Sequence, residues 1–232
     1  MGRSRKTVWR WRILTFLLLL ILAAGAAGWW YSLRWMPPRA GYGVQGVVMG
    51  EGDAPLTLSP LRQVRADFVY LEASRGASGR DARFGRNLAA LAGSGIPHGA
   101  VHLYDPCVDA EEQAANFVTI VPRDAGLLPP AIALEKLASA CGDPIVEAGL
   151  ESELTTFINQ IEGHTGQPVV LKVSPAFEER YAIASRIERN LWLEEDYLEP
   201  DYAGRPWTLW TANSRLRNPA NGETMRWVVV QP

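Results

Sequence analysis

Pro129-Pro130-Ala131-Ile132-Ala133-Leu134-Glu135 is a short apolar run behind two prolines, closed by one carboxylate. An apolar run of that length bounded by proline reads as a buried strand. An ionised side chain at the end of such a strand needs partners, because desolvating it alone is costly. In a barrel of parallel strands, the carboxyl ends of the strands display the reactive groups. Glu135 is therefore the first candidate for chemistry in this chain.

Working outward, strands and helices alternate. Residues 44–49, 67–74 and 99–104 read as strands, with helices expected over 58–66 and 83–92. A helix follows over 109–121, where Asp109 can cap and Glu111 and Glu112 favour the positive end of the helix dipole. Beyond Glu135 come a helix over 151–163, a strand over 168–174 and a helix over 175–187. Three apolar segments, 191–193, 207–211 and 227–230, close the chain with little helix between them. Strands alternating with helices mean a parallel sheet. Five strand–helix units followed by three strands predict an α/β fold, a small TIM-like (βα)5β3 barrel over 43–232. The last strands cannot all be parallel, because short connections force hairpins.

The N-terminus is of a different character. Residues 1–40 hold seven basic side chains and no acid, which leaves 16 basic against 25 acidic residues in the remainder, a formal −9. An acidic body argues against nucleic acid as a partner, since phosphate binding needs a basic face. Residues 1–12 read as a basic cytoplasmic segment and 13–31 as a transmembrane anchor or a signal segment. The aromatic flanks Trp9, Trp11 and Trp29-Trp30-Tyr31 suit the two interfaces of a bilayer, whereas the small residues Ala24 to Gly28 suit peptidase cleavage. In either case the body lies outside the cytoplasm, periplasmic or extracellular, behind a linker over 32–42 that carries Pro37-Pro38. An even pair of cysteines, Cys107 and Cys141, suggests one disulfide in an exported domain; two separate thiols are the alternative. His98, His102 and His164 show no zinc spacing with the cysteines, so no metal and no cofactor is expected.

The ordered pieces of the body resemble the family 25 glycoside hydrolases, the Chalaropsis-type lysozymes, which cleave the muramic acid linkage of peptidoglycan. Gln45-Gly46 is similar to a Gln-Gly pair on strand one. Phe68 to Gly76 (FVYLEASRG) is similar to a strand two ending Lys-Ala-Thr-Glu-Gly. Gly99 to Tyr104 (GAVHLY) resembles Gly-Ala-Tyr-His-Phe, and Pro129 to Glu135 resembles Pro-Pro-x-x-Asp-x-Glu. Leu191-Trp192-Leu193 and Trp207 to Trp210 resemble late strands carrying tryptophan. The resemblance implies a (βα)5β3 barrel, peptidoglycan or another cell-wall glycan as partner, and Glu135 as general acid.

It also marks departures. The Asp of Asp-x-Glu is Ala133, the late Trp-Gln is Trp210-Thr211, and the last-strand Asp falls near Arg226-Trp227. Glycoside hydrolysis commonly needs two carboxyl groups. A relocated second acid would be Glu194 or Asp196, with Asp105, Glu195 and Glu72 also near that end of the barrel. His102, Gln45, Tyr104, Trp192, Trp210 and Glu194 are the candidate substrate contacts. The strand histidine and the tryptophans have core packing as their alternative role. Cys107 just after strand three and Cys141 beyond strand four imply a disulfide that tethers two loops at the mouth. Two functions follow: a membrane-anchored, lysozyme-like hydrolase acting on peptidoglycan, or a catalytically inactive glycan-binding or protein-binding scaffold on the same fold.

Overall fold

The run of leucines forms α1 (Arg5–Ser32), apolar all round and exposed from Leu14 to Leu22. A helix apolar on every face belongs in a core or in a bilayer. Its segment Trp9–Ser32 is long and apolar enough to cross a membrane. The structure, a computed structural model, describes residues 5–53, 55–124, 126–142, 147–218 and 222–232; the first four residues of the basic segment thus lie outside the described residues. The chain divides into two units, one up to Trp35 and one from Met36.

The second unit follows the expected alternation: β1 (Gln45–Met49), α2 (Leu58–Gln63), β2 (Phe68–Arg75), a two-residue β3 (Gly79–Arg80), α3 (Phe84–Leu91), β4 (His98–Leu103) and α4 (Ala110–Ile120). Then come β5 (Ala131–Leu134), α5 (Glu147–Thr165), β6 (Val170–Val173), α6 (Pro175–Tyr181), α7 (Ile183–Arg186), β7 (Asn190–Glu194), β8 (Leu209–Arg217) and β9 (Thr224–Val230). Eight strands close in the order β1-β9-β8-β7-β6-β5-β4-β2, with β2 returning to β1 and β3 hanging on β2. The pairs from β1–β2 through β7–β8 are parallel. Only β9 runs against its barrel neighbours β8 and β1, as the short 218–223 connection requires.

Three local features differ from the pattern reading. The helix expected over 175–187 breaks at Ala182, a non-glycine residue with φ of 49°; Ser174 caps its first half by accepting from the Phe177 amide. The connection 195–208 carries no helix, as expected, yet it joins β7 and β8 in parallel rather than as a hairpin. Residues 75–80 form a β2–β3 hairpin, antiparallel through Ser74↔Arg80 and Arg75↔Gly79.

Period-two alternation sends Val48, Tyr70, Val101, Ala133, Trp192 and Val228 into the barrel interior. The Tyr70 and Trp192 rings lie 5.0 Å apart there, and β5 adds only the methyl groups of Ala131 and Ala133. The residues between point outward to the helices. Cys107 and Cys141 are joined in a disulfide that links the β4–α4 and β5–α5 loops. Replacing both cysteines by alanine should lower the unfolding free energy by about 3–4 kcal/mol, the loop-closure effect for their separation. Denaturant midpoints of the full chain in detergent, with and without the substitution, check this.

Candidate functional site

The carboxyl end of the barrel gathers charged side chains on the interior faces of its strands. The register sets Ala133, Lys172 and Trp192 side by side on β5, β6 and β7. Glu135 and Glu194 stand one interior position higher, two residues further along their strands. The Lys172 stem rises from the lower level, and its Nζ meets Glu135 Oε1 and Glu194 Oε1, each at 2.6 Å. The Lys172 side chain is 3% exposed and that of Glu135 48%. Trp192 lies beneath, its ring centroid 6.0 Å from the ammonium and its indole N–H donating to Thr211 Oγ1. Tyr202 steadies Glu194: its hydroxyl accepts from the Glu194 amide and donates to the Val173 carbonyl.

Burial by itself raises the Glu135 carboxyl. Lys172 opposes that by charge and hydrogen bond, aided by Arg226 and Arg75, and the balance holds Glu135 below the usual carboxylate range. Burial likewise pushes the Lys172 ammonium down, but Glu194 and Glu135 more than restore it. Both ends of the bridge are therefore ionised at neutral pH. A carboxylate in this state has no proton to give to a leaving group.

A second ion cluster faces the first. Arg226 on β9 donates to Glu72 on β2 and, at 3.0 Å, to Asp53 Oδ2. Asp53 also accepts from the Gly50 amide. A Cβ on Gly50 would fall 2.0 Å from Glu72 Oε2, so a side chain there would displace the Glu72 carboxylate. Among the described residues no group of three His, Cys, Asp or Glu is placed to hold a metal ion.

Of the sequence candidates, Glu135 and Glu194 are brought together and Trp192 forms the floor beneath them. Four others lie away from the mouth. Gln45 opens β1 at the opposite end of the barrel, donates to the Pro37 and Tyr42 carbonyls, and accepts from the Trp227 indole. His102 and Tyr104 fall on the outward face of β4, against Phe157 of α5. Trp210 faces outward on β8, where it packs on Tyr42 and Trp207 and donates to the Glu195 carbonyl. Each is placed by strand alternation or strand direction, which the quoted motifs do not encode. Asp196 caps elsewhere, accepting from Ser214, and Asp105 pairs with Lys136 at 2.7 Å. Lys172 and Arg226 were missed as site residues. The signal for Lys172 was present: one cation inside the apolar run Val169-Val170-Leu171-Lys172-Val173.

Residues 58–218 match the family described as Glycosyl hydrolases family 25. The chain belongs to glycosyl hydrolase family 25. Its barrel superposes on a family 25 glycosyl hydrolase from Bacillus anthracis with a TM-score of 0.74 and 23% identity, covering 82% of this chain and 89% of that one. A bacterial lysozyme from Streptomyces coelicolor gives 0.69 and 19%, covering 82% and 92%. Among curated proteins, the uncharacterized protein YegX of Escherichia coli K12 is 24% identical over 153 residues, which is 66% of this chain and 54% of YegX. The chain thus spans about half the length of the curated relatives it matches. Against the family pattern quoted above, strand two carries Glu72 for lysine and the last strand Arg226 near the place of an aspartate. The fold pairs these two with each other.

His102 gives one prediction. Its Nδ1 meets Ser74 Oγ at 2.7 Å and its Nε2 faces Gln113 Oε1. Gln113 already donates both amide hydrogens to carbonyls, so its oxygen accepts and the network assigns the His102 proton to Nε2. Burial, only partly offset by Gln113, pushes His102 down to about 4. The unfolded chain takes up this proton near pH 6.5 and the folded one only near 4. Stability should therefore fall as pH drops through that window, by on the order of 3 kcal/mol. The slope of unfolding free energy against pH measures it, and His102→Phe should flatten it. Lys172 gives another. Lys172→Ala removes the buried charge and leaves two partly exposed carboxylates facing each other, which should lower stability and raise the Glu135 pKa toward and above the ordinary carboxylate range. Carboxyl carbon NMR titration of wild type and variant reads the second effect.

Proposed function

We propose that this chain is a peptidoglycan-directed member of family 25, held at the outer face of the cytoplasmic membrane by its N-terminal helix, that binds glycan strands without cleaving them. The observation that carries the reading is Lys172, within 2.6 Å of both Glu135 and Glu194. A lysozyme-type cleavage needs one carboxyl protonated on the leaving oxygen and a second group supporting positive charge at the sugar carbon. Here the carboxyl that answers to the family's general acid is kept ionised, and Ala133 supplies a methyl group where the family pattern has an aspartate. The apolar helix and the disulfide support a location outside the cytoplasm, since disulfides persist in oxidising compartments. The trio of aromatic residues ending the helix supports anchoring over cleavage.

One observation favours a hydrolytic reading. Glu135 and Glu194 both reach one ammonium, so two carboxylates stand together at the mouth, as glycoside hydrolysis commonly needs. In that reading Glu194 replaces the missing aspartate and Glu135 gains its proton when substrate displaces the ammonium.

The full chain in detergent micelles, incubated with purified peptidoglycan, separates the two. The non-hydrolytic reading expects the protein to sediment with the polymer while no new reducing ends appear, both for wild type and for Glu135→Gln. Reducing ends that vanish in Glu135→Gln and Glu194→Gln would establish hydrolysis instead. Failure to sediment would remove the glycan as target.

A further inference from the structure

Among the described residues of the second unit, three large apolar side chains are exposed: Met36 at 39%, Val44 at 49% and Leu198 at 68%. Apolar residues scattered singly over a surface are ordinary, so their placement decides what they mean. Contacts gather these three in one region. Met36 and Val44 flank the entry to the barrel, which folds into one compact turn. The Gly41 and Tyr42 amides donate to the Pro38 carbonyl, and Gln45 Nε2 donates to the Pro37 and Tyr42 carbonyls. Leu198 reaches the same region from the β7–β8 connection. Its neighbour Glu199 accepts from the Tyr42 hydroxyl, and the Tyr42 ring packs on Trp207 at the end of that connection and on Trp210 of β8.

Leu198 is displayed by a fixed loop. Tyr197 before it has φ of 72°, a left-handed conformation that residues other than glycine rarely adopt. It is held by its amide, which donates to the Ala212 carbonyl at 2.8 Å, and Pro200 beyond it is buried. A strained backbone that turns an apolar side chain to the outside points to a use for that exposure. The polar groups at the edge are largely matched. Glu199 is held by Tyr42, and Asp67 by Arg39 at 2.7 Å. Arg39 also donates to the Gly43 and Arg65 carbonyls, and Arg65 adds one exposed cation. An apolar patch with matched groups at its rim suits an apolar contact.

The chain itself says what lies nearby. The segment long and apolar enough to cross a membrane ends at Ser32, four residues before Met36, and four residues reach at most about 14 Å. Trp29, Trp30 and Tyr31 at its end suit the headgroup layer. The entry turn therefore stays close to that layer whenever α1 spans a bilayer. A second copy of the chain is the weaker occupant, since three side chains are few beside the about 20–30 residues a side of a stable interface. We propose that Met36, Val44 and Leu198 form a lipid-contact surface, seated among the headgroups of the bilayer that α1 spans. The inference rests on the retained anchor of the reading above. Gln45, next to Val44, opens β1 at the end of the barrel away from the mouth, so contact there leaves the mouth turned toward the cell wall.

Both native cysteines are in the disulfide, so a single introduced cysteine takes a nitroxide label selectively. The full chain carrying Val44→Cys, Leu198→Cys, Leu18→Cys within α1, or Glu112→Cys on the exposed side of α4 as control, is placed in phosphatidylcholine nanodiscs at one chain per disc. Collision with oxygen, which concentrates in lipid, is compared with collision with a nickel chelate, which stays in water. At 44 and 198 the ratio should shift toward oxygen relative to 112, short of the value at 18. Adding Leu198→Ser to the Val44→Cys chain should move the label at 44 back toward the value at 112, a change that tethering by the linker alone would not produce. If 18 lies in lipid while 44 and 198 match 112, the lipid surface is overturned and the anchor stands. If 18 also matches 112, the anchor falls with it. Shielding of 44 and 198 that appears only with two chains per disc overturns lipid contact in favour of a second copy. No response at 44 to Leu198→Ser overturns the three-residue surface and leaves depth to the linker.

Discussion

A fully buried ammonium is stable only where carboxylates lie within hydrogen-bond reach, and the mouth of this barrel is arranged to satisfy Lys172. The residue is anchored on β6, level with Ala133 and Trp192, and its charge is met from β5 by Glu135 and from β7 by Glu194. One side chain thereby ties three adjacent strands at their carboxyl ends. The same contact sets the chemistry: what neutralises Lys172 also keeps Glu135 from holding a proton.

The rest of the mouth follows the same logic of local neutrality. Glu72 and Arg226 hold the charges that the family pattern has in the opposite sense, and they remain partners across the barrel. Gly50 leaves the space that this pair occupies. Ala133 leaves Glu135 without a neighbouring acid on its own strand, so Lys172 and Glu194 become its nearest charged company. Below this layer Val48, Val101 and Val228 fill the barrel with Tyr70 and Trp192, whose polar atoms are met by the Pro129 carbonyl and Thr211 Oγ1. A fold held by that apolar interior can change the charges at its rim without changing its architecture, which is why membership of the family and catalytic competence are separate questions here.

Much of this was legible in the residues. Five strand–helix units and three terminal strands follow from periodicity and turn residues, and the cysteine pair follows from the expected neighbours of strands three and four. The acid at the end of Pro129 to Glu135 is visible because a charge in an apolar strand is anomalous. The same anomaly stood in the strand of Lys172 and marks it equally well. Gln45, His102, Tyr104 and Trp210 looked like site residues because they occur in the right motifs. Each lies on the outward face or at the far end of its strand, satisfied by Trp227, Gln113, Phe157 or Tyr42.

The sequence by itself determined the barrel, the apolar helix ahead of it, and the absence of an aspartate beside Glu135, because these depend on local pattern and on residue identity. Only the tertiary structure decided which charges meet. Lys172, Glu135 and Glu194 are 37 and 22 residues from one another along the chain, and Arg226 and Glu72 are 154 apart. Whether two such groups touch depends on strand order, register and the face each side chain takes. Those are set by closure of the sheet, to which every strand contributes, and no single segment carries them.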